Sequence, residues 1–287
     1  LLPAALVLMT LSIDLKGIAN LGPKALIMFF TGSTGIIIGG PLAILVVSIF
    51  SPETVGGNGP DAIWRGLSTI AGSWIGGGAN QAAMFEIFKY NPDKFGAMVL
   101  VDIVVANLWM AIILLGVGKT KRIDKWLKAD TSSIEELKIK VSEHTAKITR
   151  VTTLPDFIVM LALSFSAVGL AHFLGGHFSS FLENNFEVIR DKDNFFSSLS
   201  SKFLWMVVFA TAVGIALSFT KAKNYEGAGA SKIGGMFIYI LVATIGMQMD
   251  LGKVLENPGL IAIGLIWISI HAGLLILVAK LIKAPYF

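Results

Sequence analysis

GSWIGGGANQAAM, residues Gly72–Met84, sets four glycines around a serine, an asparagine and a glutamine, between stretches that are almost wholly apolar. Each glycine inside a helix costs about 1 kcal/mol relative to alanine, so Gly76, Gly77 and Gly78 in succession predict a break. Unwound backbone within a bilayer is tolerated only where it is buried in protein or lines a wet cavity. The stretch therefore reads as two half-helices meeting near the middle of a membrane, with freed amides and carbonyls at the junction. Ser73, Asn80 and Gln81 add side-chain donors and acceptors, and such a junction can hold an ion or an anionic group. Helix packing through the GxxxG pair Gly72 and Gly76 is the simpler alternative, but packing needs neither a third glycine in the row nor an adjacent Asn-Gln pair. For the second GxxxG pair, Gly35 and Gly39, packing is the better reading.

Composition agrees with a membrane setting. The 287 residues are 54% hydrophobic and only 15% charged, against roughly 25% charged in soluble domains, and the mean hydropathy is +0.74. About eight spans follow: Leu1–Ile13, Ala25–Phe50, Ile63–Phe88 across the opening motif, Gly96–Val117, Phe157–Leu174, Phe203–Phe219, Ile233–Met249 and Leu260–Ile282. The fold class is an all-α polytopic membrane protein, and the expected location is a cell membrane. Lipid bilayer is the first partner. Nucleic acid is not expected, because the basic residues behind the net charge of +4 sit in loops, as orientation signals do. Alternate loops carry fifteen basic residues on one side, including Arg65 and nine in Gly118–Thr153, against eight on the other, which makes the richer side cytoplasmic. Within that segment Ser133 and Glu136 have capping-box spacing, and Ile134, Leu137, Val141 and Ile148 form an apolar stripe.

An internal similarity organises the chain. LSIDLKGIANLGPKALI (Leu11–Ile27) and MQMDLGKVLENPGLIAI (Met247–Ile263) share a span, Asp-Leu, a short amphipathic stretch, a proline and another span. Asp14 pairs with Asp250, both read as helix-turn caps, and Pro23 pairs with Pro258. The expected organisation is a first repeat over 1–118, a charged cytoplasmic linker over 119–153 and a second repeat over 154–287. The second copy lacks counterparts of the glycine-rich span and of Gly96–Val117, and Phe157–Leu174 and Phe203–Phe219 precede it without counterparts before Leu1, so two spans are expected beyond each end, about twelve in all. Six crossings separate Asp14 from Asp250, which makes the repeats parallel, whereas transporter repeats are commonly inverted. A miscounted crossing, a re-entrant span and truly parallel halves all remain open at this level.

Other polar residues are weighed against depth. Asp102 lies within the span after the break, where a carboxylate costs about 2.5–3.5 kcal/mol and usually faces a cavity or a partner. Asn107 follows five positions on and need not share its face. His271 lies deep in the last span and is either structural or a proton carrier. Glu86, beside Lys89, reads as an interfacial charge. No enzyme is expected: His172 and His177 are five apart rather than four, and HExxH, GxSxG and Walker motifs are absent. With no cysteine in the chain, thiolate metal sites are excluded, no metal site is expected, and bound Na+ or H+ is the only cofactor anticipated.

GSWIGGGANQAAM, DLKGIANLGPKAL, DIVVANLW and ATIGMQMDL together resemble the YjcL-like family of uncharacterised multi-spanning membrane proteins, itself distantly similar to cation/proton antiporters and bile-acid or anion transporters. The resemblance covers most of the chain, and Gly72–Asn80 is its most specific part. It implies a core domain with crossing broken helices and a panel domain that forms a homodimer. It places Gly76, Gly77 and Asn80 at a crossing break and makes Asp102 a membrane-embedded acid on the next core helix. The second break of such a pair, an Asn-Ile-Gly-Gly segment, does not occur before Phe287. The expected function is H+- or Na+-coupled secondary transport, by symport or antiport, of a small solute that the sequence does not identify. The ion- and substrate-binding set is Ser73, Gly76, Gly77, Gly78, Asn80, Gln81, Asp102 and Asn107, with His271 in addition. A non-transporting sensor or scaffold that keeps the fold and binds a cytoplasmic partner through Gly118–Thr153 is the alternative.

Overall fold

The computed structural model describes residues 1–13, 22–129, 150–190, 195–247 and 257–286. Asp14, Asp250 and the apolar stripe from Ser133 to Ile148 lie outside the described residues. Helices follow one another as α1 (Leu2–Thr10), α2 (Pro23–Phe50), α3 (Pro52–Val55), α4 (Ile63–Gly76), α5 (Gly78–Phe88), α6 (Pro92–Val117), α7 (Thr120–Leu127), α8 (Leu154–Asn185), α9 (Glu187–Arg190), α10 (Lys202–Ser218), α11 (Ala230–Gly246) and α12 (Gly259–Ile282). No strand occurs among the described residues. Four helices, α2, α6, α8 and α12, are long and apolar enough to cross a membrane, and α10 and α11 are shorter apolar helices. The chain is an all-α polytopic membrane protein.

Local chemistry sets the helix starts. Asn91 caps α6 by accepting from the Asp93 amide, with Pro92 in the first turn. Thr153 and Asp156 form a reciprocal capping box at the start of α8, and Ser201 caps α10. Each cap satisfies amides that a helix cannot pair internally. Arg150 reinforces the α8 start through two bonds to the Asp156 carboxylate, at 2.6 and 2.7 Å. That pairing raises the affinity of the guanidinium for its proton above the ordinary value.

The chain divides into two compact units, Leu1–Asp14 with Ala82–Lys89 and Glu143–Met247, and Leu15–Gln81 with Tyr90–Ser142 and Gln248–Phe287. In the first unit α1 packs among α8, α10 and α11. Glycines permit the approach: a Cβ on Gly214 would stand 3.1 Å from the Val7 backbone, and one on Gly234 would stand 2.9 Å from the Ala5 carbonyl. The sequence reading ends the α8 span at Leu174, yet the helix continues to Asn185. Its polar residues find partners: His177 Nδ1 bonds the Phe173 carbonyl and Asn185 donates to the Phe181 carbonyl within the helix, and Ser179 donates to the Ser200 carbonyl beyond it. Phe178 meets Trp205 edge-on at 4.3 Å.

In the second unit α2 and α12 lie antiparallel. Lys24 Nζ donates to the Lys283 carbonyl, Trp267 Nε1 donates to Ile36, and a Cβ on Gly259 would meet Thr54. The expected packing role of Gly35 and Gly39 is visible here: a Cβ on Gly35 would lie 3.2 Å from His271 Cα, and one on Gly39 would lie 2.7 Å from the Trp267 ring. Pro23 stands in the first turn of α2 and Pro258 at the N-cap of α12, so the two matched prolines open helices of opposite direction.

The glycine-rich stretch departs from expectation in its path. The helix breaks at Gly77, between α4 and α5, as the three glycines predict. The fourteen residues of α4 and eleven of α5, laid end to end, would span about 37 Å. Instead the Asn91 amide donates to the Pro60 carbonyl at 3.0 Å, Asn91 Nδ2 donates to Asp61 at 2.6 Å, and Lys94 Nζ reaches Asp61 at 2.9 Å. The residues that precede α4 and follow α5 are neighbours, so the segment is not a crossing but a re-entrant hairpin that turns at Gly77. Its physical reason is the Gly77 backbone, at φ 79° and ψ −173°, a region essentially reserved for glycine.

Candidate ion and substrate site

The hairpin turn delivers two side chains to one carboxylate. Trp74, in the last turn of α4, donates its indole N–H to Asp102 Oδ1 at 2.7 Å, and Gln81, in the first turn of α5, donates Nε2–H to Asp102 Oδ2 at 3.1 Å. Asp102 is only 9% exposed and lies six residues beyond Gly96, where the apolar run of α6 begins, a rise of about 9 Å. Each oxygen therefore accepts from a neutral donor, and among the described residues no cation forms an ion pair with it.

The turn itself is short of partners. Gly77 N–H donates to the Ser73 carbonyl, and the Gly77 carbonyl accepts from Asn80 and Gln81. That leaves the amides of Gly78 and Ala79 as first-turn donors that α5 cannot satisfy. Gly76, Gly77 and Gly78 are exposed. A Cβ on Gly76 would fall 1.7 Å from Asn80 Nδ2, so the bare backbone there is what lets Asn80 fold back over the break.

Of the candidate residues, the structure gathers Gln81 and Asp102 around the turn formed by Ser73, Gly76, Gly77, Gly78 and Asn80. Asn107 stands apart: its amide donates to the Ile103 carbonyl at 2.7 Å on an exposed face. His271 also stands apart, with Nδ1 3.1 Å from the Gly32 carbonyl and its ring edge-on to Trp109. Glu86 pairs with Lys89 at 3.4 Å.

Two tryptophans that motif reading passes over complete the site. Trp74 packs against Trp267 with centroids 4.9 Å apart. Trp267 is fixed in turn by its bond to Ile36 and by Gly39 and Gly40 beneath its ring. The usable signal was chemical: an indole N–H inside an apolar span needs an acceptor, and Asp102 is the nearby acid. Among the described residues no group of three or more His, Asp or Glu could hold a metal ion.

No solved structure matches the chain. The uncharacterized membrane protein YjcL of Bacillus subtilis (strain 168) is 23% identical over 277 residues, which cover 93% of this chain and 63% of YjcL. The chain thus spans under two thirds of that relative. The model of a family described as proteins of unknown function, DUF819, matches residues 1–287, and the chain belongs to that family.

Proposed function

We propose that this multi-pass membrane protein carries out H+- or Na+-coupled secondary transport of a small solute, with the coupling ion bound at the re-entrant turn. The observation that carries the reading is the Asp102 carboxylate, buried within α6 and held by Trp74 and Gln81 with no cationic partner among the described residues. An ionised acid there lacks a countercharge in a low-dielectric setting, which a proton or Na+ supplies. The exposed Gly76–Gly78 backbone gives an ion a route to it, and rearrangement around the turn gives alternating access. No enzymatic step and no cofactor beyond the ion is required.

The path of the hairpin supports the same reading. Counting Ile63–Phe88 as re-entrant leaves five crossings between Asp14 and Asp250, which makes the two repeats inverted, as the antiparallel α2 and α12 suggest. The side rich in positive charge loses Arg65 and gains Lys16 and Lys24, so fifteen becomes sixteen, against seven. The charge bias therefore sharpens and keeps that side cytoplasmic.

Thermal unfolding of the purified protein tests the site. Replacing choline by Na+ at constant ionic strength, or changing pH, shifts Tm in the wild type. Asp102→Asn folds, because a reoriented Gln81 amide still bonds the new side chain, but loses both responses. Equal responses in Asp102→Asn and wild type, or none in wild type, would overturn the proposal.

A further inference from the structure

Apart from the Asp102 site, a cavity is formed by the residues around the open end of the hairpin. It encloses about 570 Å³ between Ser51 at the end of α2, Glu53 and Thr54 in α3, Tyr90 and Lys94 at the start of α6, and Asn257 and Gly259 at the start of α12. Ile63, Ala97 and Leu260 supply an apolar wall. Lys94 and Asp102 are eight residues apart on α6, so the cavity lies about 12 Å above the carboxylate along the helix.

Tyr90 is the unusual member. Its side chain is 2% exposed, its ring rests on Gly66, where a Cβ would come within 2.7 Å of Cζ, and its hydroxyl forms no hydrogen bond among the described residues. Its oxygen is reached only from the cavity that Tyr90 lines, where a ligand atom can take the place of water as its partner. Burial first, and the nearby Asp61 carboxylate second, push the phenol above its ordinary pKa. It is therefore a proton donor throughout the physiological range.

The remaining groups choose the sign of charge. The N-terminus of α12, a helix of twenty-four residues with no side-chain cap, presents its positive end here. Lys94 holds Asp61 with one N–H and keeps two further donors. Glu53 is the acidic lining residue, and its carboxylate already accepts from Ser51 Oγ. We propose that this cavity is a binding site for a small organic carboxylate, whose oxygens take the Tyr90 hydroxyl and Lys94 while its apolar body lies on Ile63, Ala97 and Leu260. The site is separate from the ion site, and binding here does not depend on transport.

Benzoate is a suitable probe. Sodium benzoate, compared with sodium chloride at equal Na+ and ionic strength, raises the Tm of the purified wild-type protein in a saturable manner. Tyr90→Phe keeps the ring on Gly66 and folds, but weakens benzoate binding about tenfold, the loss of one hydrogen bond to a charged group. Benzylammonium chloride, of the same size and opposite charge, gives no shift. Asp102→Asn retains the benzoate response, so failure of the ion site and failure of this site are separable. Absence of a benzoate shift, an equal response in Tyr90→Phe, or a shift with benzylammonium instead would each overturn the assignment.

Discussion

Three consecutive glycines do different work at the hairpin turn. Gly76 yields its side-chain volume to Asn80, Gly77 takes a positive φ in open space, and Gly78 has neither constraint, with no heavy atom within 4 Å of its Cβ position. Gly77→Ala therefore meets no clash but pays backbone strain of about 1–3 kcal/mol. Gly78→Ala gains helix propensity at the first turn of α5 instead. Thermal unfolding of the two variants should show a lowered Tm for Gly77→Ala and an unchanged or raised Tm for Gly78→Ala. Equal losses would mean that the turn tolerates no side chain for reasons of space, contrary to the geometry. The break itself was legible in the sequence, because three glycines have few other uses in an apolar run. Its indole partner was not, since tryptophan counts as apolar in a hydropathy reading while its N–H does polar work on Asp102.

At the scale of the helix, legibility follows how local the deciding interaction is. The four long apolar helices α2, α6, α8 and α12 overlap four of the stretches that hydropathy marks, because the apolar character of a run is a local property. The reversal between α4 and α5 depends on Asn91 and Lys94 finding Pro60 and Asp61, about thirty residues back, and no window of sequence contains both ends. The extension of α8 to Asn185 escaped for the related reason that HFSSFLENN looks like a loop until its polar groups are seen bonding their own helix. The α2 and α12 pair lies between these cases: the Gly35 and Gly39 spacing was readable, but not that Trp267 fills the gap. Gly39→Val would drive a side chain into an indole that is 2% exposed and tethered to Ile36, so it should destabilise by about 1–3 kcal/mol through overpacking. Gly273→Ala on α12 has no heavy atom within 4 Å of its Cβ position and should leave Tm unchanged or slightly raised. A Gly39→Val protein as stable as wild type would show that this helix pair is loosely packed.

For the whole molecule the decisive quantity is the parity of crossings, since one span read as re-entrant turns parallel repeats into inverted ones and moves every loop before α4 to the opposite side. The chain contains no cysteine, so single cysteines introduced at exposed positions report sidedness without background. Asn58 precedes α4 and Asp93 follows α5, both exposed, while Lys121 is exposed on α7. In sealed right-side-out vesicles, a membrane-impermeant maleimide should label Asn58→Cys and Asp93→Cys alike and should reach Lys121→Cys only after permeabilisation. A crossing at Ile63–Phe88 would put Asn58 and Asp93 on opposite sides, and only one of them would be labelled. The ion response of Asp102→Asn does not depend on this outcome, but the inverted arrangement does: with Asn58 and Asp93 on the same face, an even number of crossings lies between them, and α2 and α12 enter the membrane from opposite sides.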